Sequence, residues 1–291
     1  MYRLLAGKLL TSLSFVACLW LTLDAQFVSR VDVVDVYATV TDRSGRPIEG
    51  LTKEDFTIFE DERPQVLSVF AEGDMGLSAA LALDRSFSMA GTPLAVMKAA
   101  ARAFLSALPP RDRAMIIGVG SRVETIAPLS EDRAATQRAL EAVDAWGTTS
   151  LYDAIVDALA RIEPADGRRA LVILSDGDDR GSQVRAEDAL ARARRSDVLI
   201  YPVSFGRKRP TPLFAQLAEA TGGRTIHVKD VKHLQEQLSN VAGELRHQYL
   251  LGYSPARPFP KGRAEWRRLR VRVAREGVTV RSRPGFEAES R

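Results

Sequence analysis

The apolar run Leu77-Ser78-Ala79-Ala80-Leu81-Ala82-Leu83 empties directly into Asp84-Arg85-Ser86-Phe87-Ser88. A run this short and this continuously apolar reads as a strand buried on both faces. It delivers carboxylate and hydroxyl oxygens at its end, which is a place to hold a small divalent cation. Such hard donors suit Mg²⁺, whereas the thiols and imidazoles that select zinc or copper are absent from this cluster. The arrangement recurs: Leu171-Val172-Ile173-Leu174-Ser175 is a second buried strand, and it delivers Asp176 before Gly177. Between them, Gly147-Thr148-Thr149-Ser150-Leu151-Tyr152-Asp153-Ala154 reads as a polar loop opening a helix.

The rest of the centre alternates strand and helix, which argues for an α/β domain with a mostly parallel, doubly wound sheet covered on both faces. Thr92-Pro93 starts a helix whose apolar stripe is Leu94, Met97, Ala101, Phe104, Leu105 and Leu108, and Pro109-Pro110 stops it. Residues 114–119 read as a buried strand and 123–127 as an antiparallel edge. Leu151, Ile155, Leu159 and Ile162 stripe the next helix, and 198–205 is a strand. Thr211-Pro212 opens a helix closed by Gly222-Gly223, residues 225–228 end the sheet, and Val231, Leu234, Leu238, Val241 and Leu245 stripe a final helix. In such a sheet, ligands gather at the carboxyl ends of strands where strand order reverses. Two carboxylates about 5 Å apart there repel by about 3 kcal/mol at an effective dielectric near 20, a cost that a dication removes.

The three segments, in this order, resemble the metal-ion-dependent adhesion site of von Willebrand factor type A domains. That family's pattern is Asp-x-Ser-x-Ser, then Thr, then Asp, on a Rossmann-like sheet. The resemblance implies that Asp84, Ser86, Ser88 and Thr149 hold Mg²⁺ (with Mn²⁺ or Ca²⁺ as alternatives). Asp176 would ligate directly or through water. It also implies an open metal position that accepts an Asp or Glu carboxylate from a protein partner. Thr149 matches the family's spacing better than Thr148. Phe87 departs from the glycine common at its position and places bulk beside the metal.

Both ends of the chain read as β-structure. Val34, Val36, Ala38 and Val40 alternate with polar neighbours, residues 42–47 turn, and Phe56-Thr57-Ile58-Phe59 and Val66-Leu67-Ser68-Val69-Phe70 follow, separated by the turn-prone Asp61-Glu62-Arg63-Pro64. Residues 249–253, 266–273 and 278–281 are strand-like at the other end. Neither end has enough apolar surface for its own core, so the expectation is one accessory β-sandwich built from both, with the central domain inserted. The boundaries expected are 1–25 for a signal peptide, 26–75 for the N-terminal β module, 76–247 for the type A domain and 248–291 for the C-terminal β segment. Three stretches extend the resemblance to a bacterial exported subgroup, the VWFA-related domain proteins: Val40-Thr41-Asp42 through Phe56, Arg246 through Tyr253, and Arg281-Ser282-Arg283-Pro284-Gly285-Phe286.

Arg3 and Lys8, the apolar run from Leu9 to Leu23, and Asp24-Ala25 read as a secretory signal. The apolar run is short against the roughly 20 residues of a bilayer crossing, so cleavage is expected, with an uncleaved anchor as the alternative. The mature chain is therefore expected in the periplasm or outside the cell. The only cysteine of the whole sequence, Cys18, lies in that leader, so a mature chain would have no thiol, which excludes a disulfide scaffold and thiol catalysis. A net charge of +4 is modest, but Arg267, Arg268, Arg270, Arg272, Arg275, Arg281 and Arg283 crowd the C-terminal end. Because Leu269, Val271 and Val273 alternate with them, they read as the solvated face of a strand. Envelope contact is the next reading, and nucleic acid is not expected.

Enzyme readings fare poorly. Gly118-Val119-Gly120 lacks a third glycine, and no Walker loop exists. Gly252-Tyr253-Ser254-Pro255-Ala256 approaches a nucleophile elbow, but Pro255 has no N–H to give. His227, His233 and His247 are not spaced as zinc ligands. Asp178 and Asp179 read as solvated loop acids, and Asp153 as favouring a helix N-terminus. The sequence therefore points to an exported, Mg²⁺-dependent protein-binding module without catalysis. The alternatives are a structural envelope protein with a vestigial site, or a Mg²⁺-dependent phosphohydrolase using Asp84, for which Lys98 is the nearby lysine and is expected to face solvent.

Overall fold

A computed structural model describes residues 33–73, 75–207 and 209–289. The leader expected over residues 1–25, with Cys18, lies outside them. No helix among the described residues is long and apolar enough to cross a membrane.

The chain begins with β1 (Val34–Thr41), β2 (Phe56–Glu60), β3 (Arg63–Gln65) and β4 (Leu67–Glu72). Val34, Val36, Ala38 and Val40 are all buried, as strand alternation requires. Asp61 and Glu62 both take positive φ, the backbone twist of a two-residue hairpin turn. Pro64 then falls on β3 at the edge of its sheet, where its missing N–H costs least.

The centre runs β5 (Leu77–Asp84), α1 (Thr92–Ala107), β6 (Arg113–Val119), β7 (Val123–Ser130), α2 (Arg133–Glu141), α3 (Leu151–Ile162) and β8 (Arg168–Leu174). It continues through α4 (Ala186–Arg194), β9 (Leu199–Phe205), α5 (Pro212–Thr221), β10 (Ile226–Val228) and α6 (Leu234–Arg246). The sheet order is β10-β9-β8-β5-β6-β7, parallel throughout except for the antiparallel edge strand β7. Every residue of β5 is buried because each face has its own helical cover. Leu81 and Leu83 pack with Phe104 of α1 and Leu238 of α6, while Ala80 and Ala82 pack with Ile155 of α3 and Phe214 of α5.

Two helices were not legible. Helix α4 buries only Ala189 and Ala193, and α2 buries only Thr136 and Leu140, so neither carries a broad apolar stripe. Asp132, whose carboxylate accepts from Ala135 N at 2.9 Å, is the N-cap that marks α2.

The chain closes with β11 (Tyr249–Tyr253), β12 (Glu265–Val273), β13 (Thr279–Arg281) and β14 (Gly285–Ala288). Two four-stranded sheets, β13-β1-β11-β4 and β14-β12-β2-β3, pack around one core. The expected fold class holds: a mostly parallel α/β sheet with an accessory sandwich built from both ends. Tyr201 on β9 donates to Glu244 of α6 at 2.8 Å, and Glu244 also pairs with Arg281 of β13, so the sandwich is tied to the α/β layers.

The C-terminal arginines are not one solvated face. Arg268 and Arg272 are exposed, but Arg267 sits fully buried on the inner face beside Leu269 and Val271. Its guanidinium donates to Glu60 at 2.9 Å and to the carbonyls of Arg257 and Pro258 at 2.7 and 2.6 Å. Tyr253 donates to the other Glu60 oxygen at 2.7 Å. A charge can occupy that core because each partner satisfies another. Arg283 is likewise engaged, donating to the Asp35 carbonyl at 2.6 Å.

Candidate metal centre

Strand β5 lies between β6 and β8, so strand order reverses at its carboxyl end. Asp84 is the last residue of β5, and Asp176 lies two residues beyond β8. Asp84 is fully buried. Its Oδ1 accepts from Ser86 N at 3.0 Å and from Ser86 Oγ at 2.7 Å, and its Oδ2 accepts from Ser175 Oγ at 2.7 Å. The Ser86 and Ser88 hydroxyl oxygens are 3.0 Å apart, with Ser88 exposed to solvent. Burial pushes the Asp84 carboxyl up from its ordinary range. The hydrogen bonds from Ser86 and Ser175 oppose that shift, and the nearby Asp176 carboxylate adds to it. Asp176 Oδ1 accepts from Asp178 N at 3.0 Å, closing its own loop.

Backbone hydrogen bonds tie the three expected segments together. Phe87 N donates to the Gly147 carbonyl at 2.9 Å, and Trp146 N to the Arg85 carbonyl at 2.6 Å. Arg180 N and Gly181 N both donate to the Thr149 carbonyl, at 2.9 and 3.0 Å. Thr149 is thus held between the loop after β5 and the loop after β8, and it is buried. Thr148 is exposed, with its hydroxyl 3.2 Å from Ser121 Oγ.

Two acids expected as solvated loop residues are engaged. Asp179 accepts from Leu151 N at 2.8 Å and from Tyr152 N at 3.3 Å, capping α3 from another loop while Ser150 makes no side-chain cap. Asp178 pairs with Arg180 at 3.6 Å. Asp153 does sit in the first turn of α3, and its carboxylate also accepts from Gln183 N and Val184 N. Sequence reasoning passed over the role of Ser175 and read Asp179 only as a solvated acid. The hydroxyl immediately before Asp176 was the available signal for the first, and nothing local marked the second.

The residues weighed for enzyme readings have partners in the fold. Lys98 is half-buried rather than free in solvent; its ammonium donates to the carbonyl of Glu141, the last residue of α2, and to that of Val143, just beyond it, at 3.1 Å. His227 meets Ser204 and His247 meets Glu49, each at 3.0 Å. After Gly118 the chain continues into β7 rather than a helix.

The donor set fits a small hard cation. Among the described residues neither Asp84 nor Asp176 has a Lys or Arg partner, and Arg85 turns instead to Glu124 at 2.6 Å. No three His, Cys, Asp or Glu side chains cluster for a metal among the described residues. An ion here would therefore depend on the serine and threonine hydroxyls.

Residues 79–178 match the family described as von Willebrand factor type A domain. Over those residues the chain is a match to the von Willebrand factor type A domain. A protein described as von Willebrand factor type A from Catenulispora acidiphila is similar in structure. The match has 13% identity and a TM-score of 0.56, covering 80% of this chain and 72% of that one. Proximal thread matrix protein 1 from the mussel byssus, with a zinc-occupied MIDAS motif, matches at 16% identity and a TM-score of 0.54, over 64% of this chain and 50% of that one. At such identities these likenesses concern the fold of the type A domain. No curated protein matches the sequence.

Proposed function

We propose that the protein is an exported, divalent-metal-dependent protein-binding module that captures an acidic side chain of its partner. Asp84, Ser86, Ser88 and Thr149 would hold the ion, preferably Mg²⁺, with Asp176 as a direct or water-mediated ligand. The observation that carries this reading is Asp84: a buried carboxylate at the switch point, with Asp176 beside it and no basic side chain among the described residues to balance either. When bound, the ion supplies positive charge and an exchangeable position that a carboxylate oxygen can fill.

The chain's own residues prepare that position. Ser86 and Ser175 fix the Asp84 carboxylate, and the Thr149 carbonyl anchors its loop to residues 180–181. Phe87 and Trp146 are 67% and 41% exposed on the two loops joined by hydrogen bonds, and Arg85 lies 5.4 Å from the Trp146 ring. Exposed aromatic side chains held by fixed loops favour a protein partner, since such residues dominate interface energetics. The domain would span residues 76–247, flanked by β modules over 26–75 and 248–291, with residues 1–25 directing export.

Calorimetric titration of Mg²⁺ and Mn²⁺, combined with pull-down from envelope extract with and without chelator, tests the proposal. Saturable metal binding, chelator-sensitive capture and loss of both in Asp84→Ala with the fold intact are expected. Full capture in excess chelator would overturn metal-dependent binding. No saturable response to either metal would make the site vestigial.

A further inference from the structure

At the opposite end of the parallel sheet from Asp84, α4 and α5 end beside the outer face of β12 and β14. A cleft of about 660 Å³ opens there, between the type A domain and the sandwich. That volume suits a small ligand, and junctions between modules are where such clefts recur. One wall is Trp266, 43% exposed. Its indole lies across Gly285 of the paired strand, where a β-carbon would come 2.5 Å from the ring. The absence of a side chain at Gly285 leaves room for the indole, which also lines the cleft.

Charge defines the rest. Arg194 and Arg195 at the end of α4 and Arg268 of β12 line the cleft together with Glu219 and Glu287. Arg195 is 3.9 Å from Glu287. The guanidiniums of Arg194 and Arg268 have no carboxylate partner among the described residues, the Arg268 contact to Asp61 being made by its backbone N–H. Three guanidiniums against two carboxylates leave one net positive charge, which complements a single anionic group. The carboxylates matter as much as the arginines. They accept hydrogen bonds from hydroxyl groups, whereas a closely spaced run of phosphates would be repelled by them.

We propose that this cleft binds an acidic glycan carrying one carboxylate per sugar. The apolar face of a sugar ring stacks on Trp266, its carboxylate pairs with the planar guanidiniums of Arg268 and Arg194, and its hydroxyls donate to Glu219 and Glu287. This site is independent of the metal centre and of the reading proposed for it.

Calorimetry of the full chain with an oligogalacturonate at low ionic strength tests the proposal. Saturable binding is expected, weakened about tenfold or more in Trp266→Ala and in Arg194→Ala, because each removes a principal contact. Arg194 is exposed at a helix end, so its variant keeps the fold even if Trp266→Ala does not. Asp84→Ala and chelator should leave glycan binding unchanged. The proposal is overturned by any of four results: no saturable heat, equal binding of the neutral galactose oligomer, undiminished binding in Arg194→Ala, or tighter binding of a single-stranded oligonucleotide.

Discussion

Ser175 Oγ donates to Asp84 Oδ2 at 2.7 Å, joining the end of β8 to the end of β5 through one side-chain hydrogen bond. The same hydroxyl accepts from Gly177 N at 3.0 Å, so Ser175 orients both the buried carboxylate and the turn that carries Asp176. Hydrogen bonds of this kind around a metal ligand are typically worth about 10- to 100-fold in affinity. Ser175→Ala should weaken Mg²⁺ and Mn²⁺ binding by that order in calorimetry, with an unchanged far-UV circular dichroism spectrum. Ser175→Thr, which keeps the hydroxyl, should recover most of the loss.

The loop bearing Thr149 depends on a glycine. Gly147 has φ of 75°, and a β-carbon there would come 2.9 Å from Ser121 N. Gly147→Ala should cost about 1–3 kcal/mol in local strain. It should also displace the loop, lowering metal affinity more than urea stability. Thr148→Ala is expected to leave metal affinity unchanged, because the Thr148 hydroxyl faces Ser121.

Inside the sandwich, Arg267 and Glu60 form a buried pair with Tyr253 as third partner. Removing one partner of such a pair leaves a buried charge uncompensated. Arg267→Met should therefore destabilise the protein by about 3–5 kcal/mol in denaturant titration. Adding Glu60→Gln should restore part of that loss, since the stranded carboxylate is then neutral.

Alkaline pH should loosen the sandwich before the ion pairs titrate. Burial, reinforced by hydrogen bonds to Glu72 and Glu60, raises the hydroxyls of Tyr249 and Tyr253, the first to about 12. Unfolded tyrosine titrates near 10, so between those values the folded state holds the extra proton and stability falls as pH rises. The contribution of Tyr249 is fully present below about pH 10 and is lost through about pH 12. Urea midpoints across that window should decline, and Tyr249→Phe should flatten the decline.

Much of the architecture was legible because burial on a strand or helix leaves a local periodic trace. The continuous apolar run before Asp84 and the stripe Leu94, Met97, Ala101, Phe104, Leu105 announced β5 and α1 with little error. Helix α4 escaped because alanine fills its buried positions, and alanine contrasts weakly with its neighbours. At the site, the spacing of Asp84, Ser86 and Ser88 was visible, while Asp179 was not. Its partners are the amides of Leu151 and Tyr152, nearly thirty residues earlier in the chain.

From its sequence alone this protein is committed to a two-faced parallel sheet whose strands end in oxygen donors, because apolar periodicity and donor spacing are properties of neighbouring residues. Tertiary structure decided which charges go inside. Arg267 shares the strand parity of Leu269 and Val271 and so falls on the inner face, where a charge can stay only because Glu60, Tyr253 and two backbone carbonyls meet it there. The position of a charge follows from the partners that reach it, and those partners come from distant parts of the chain.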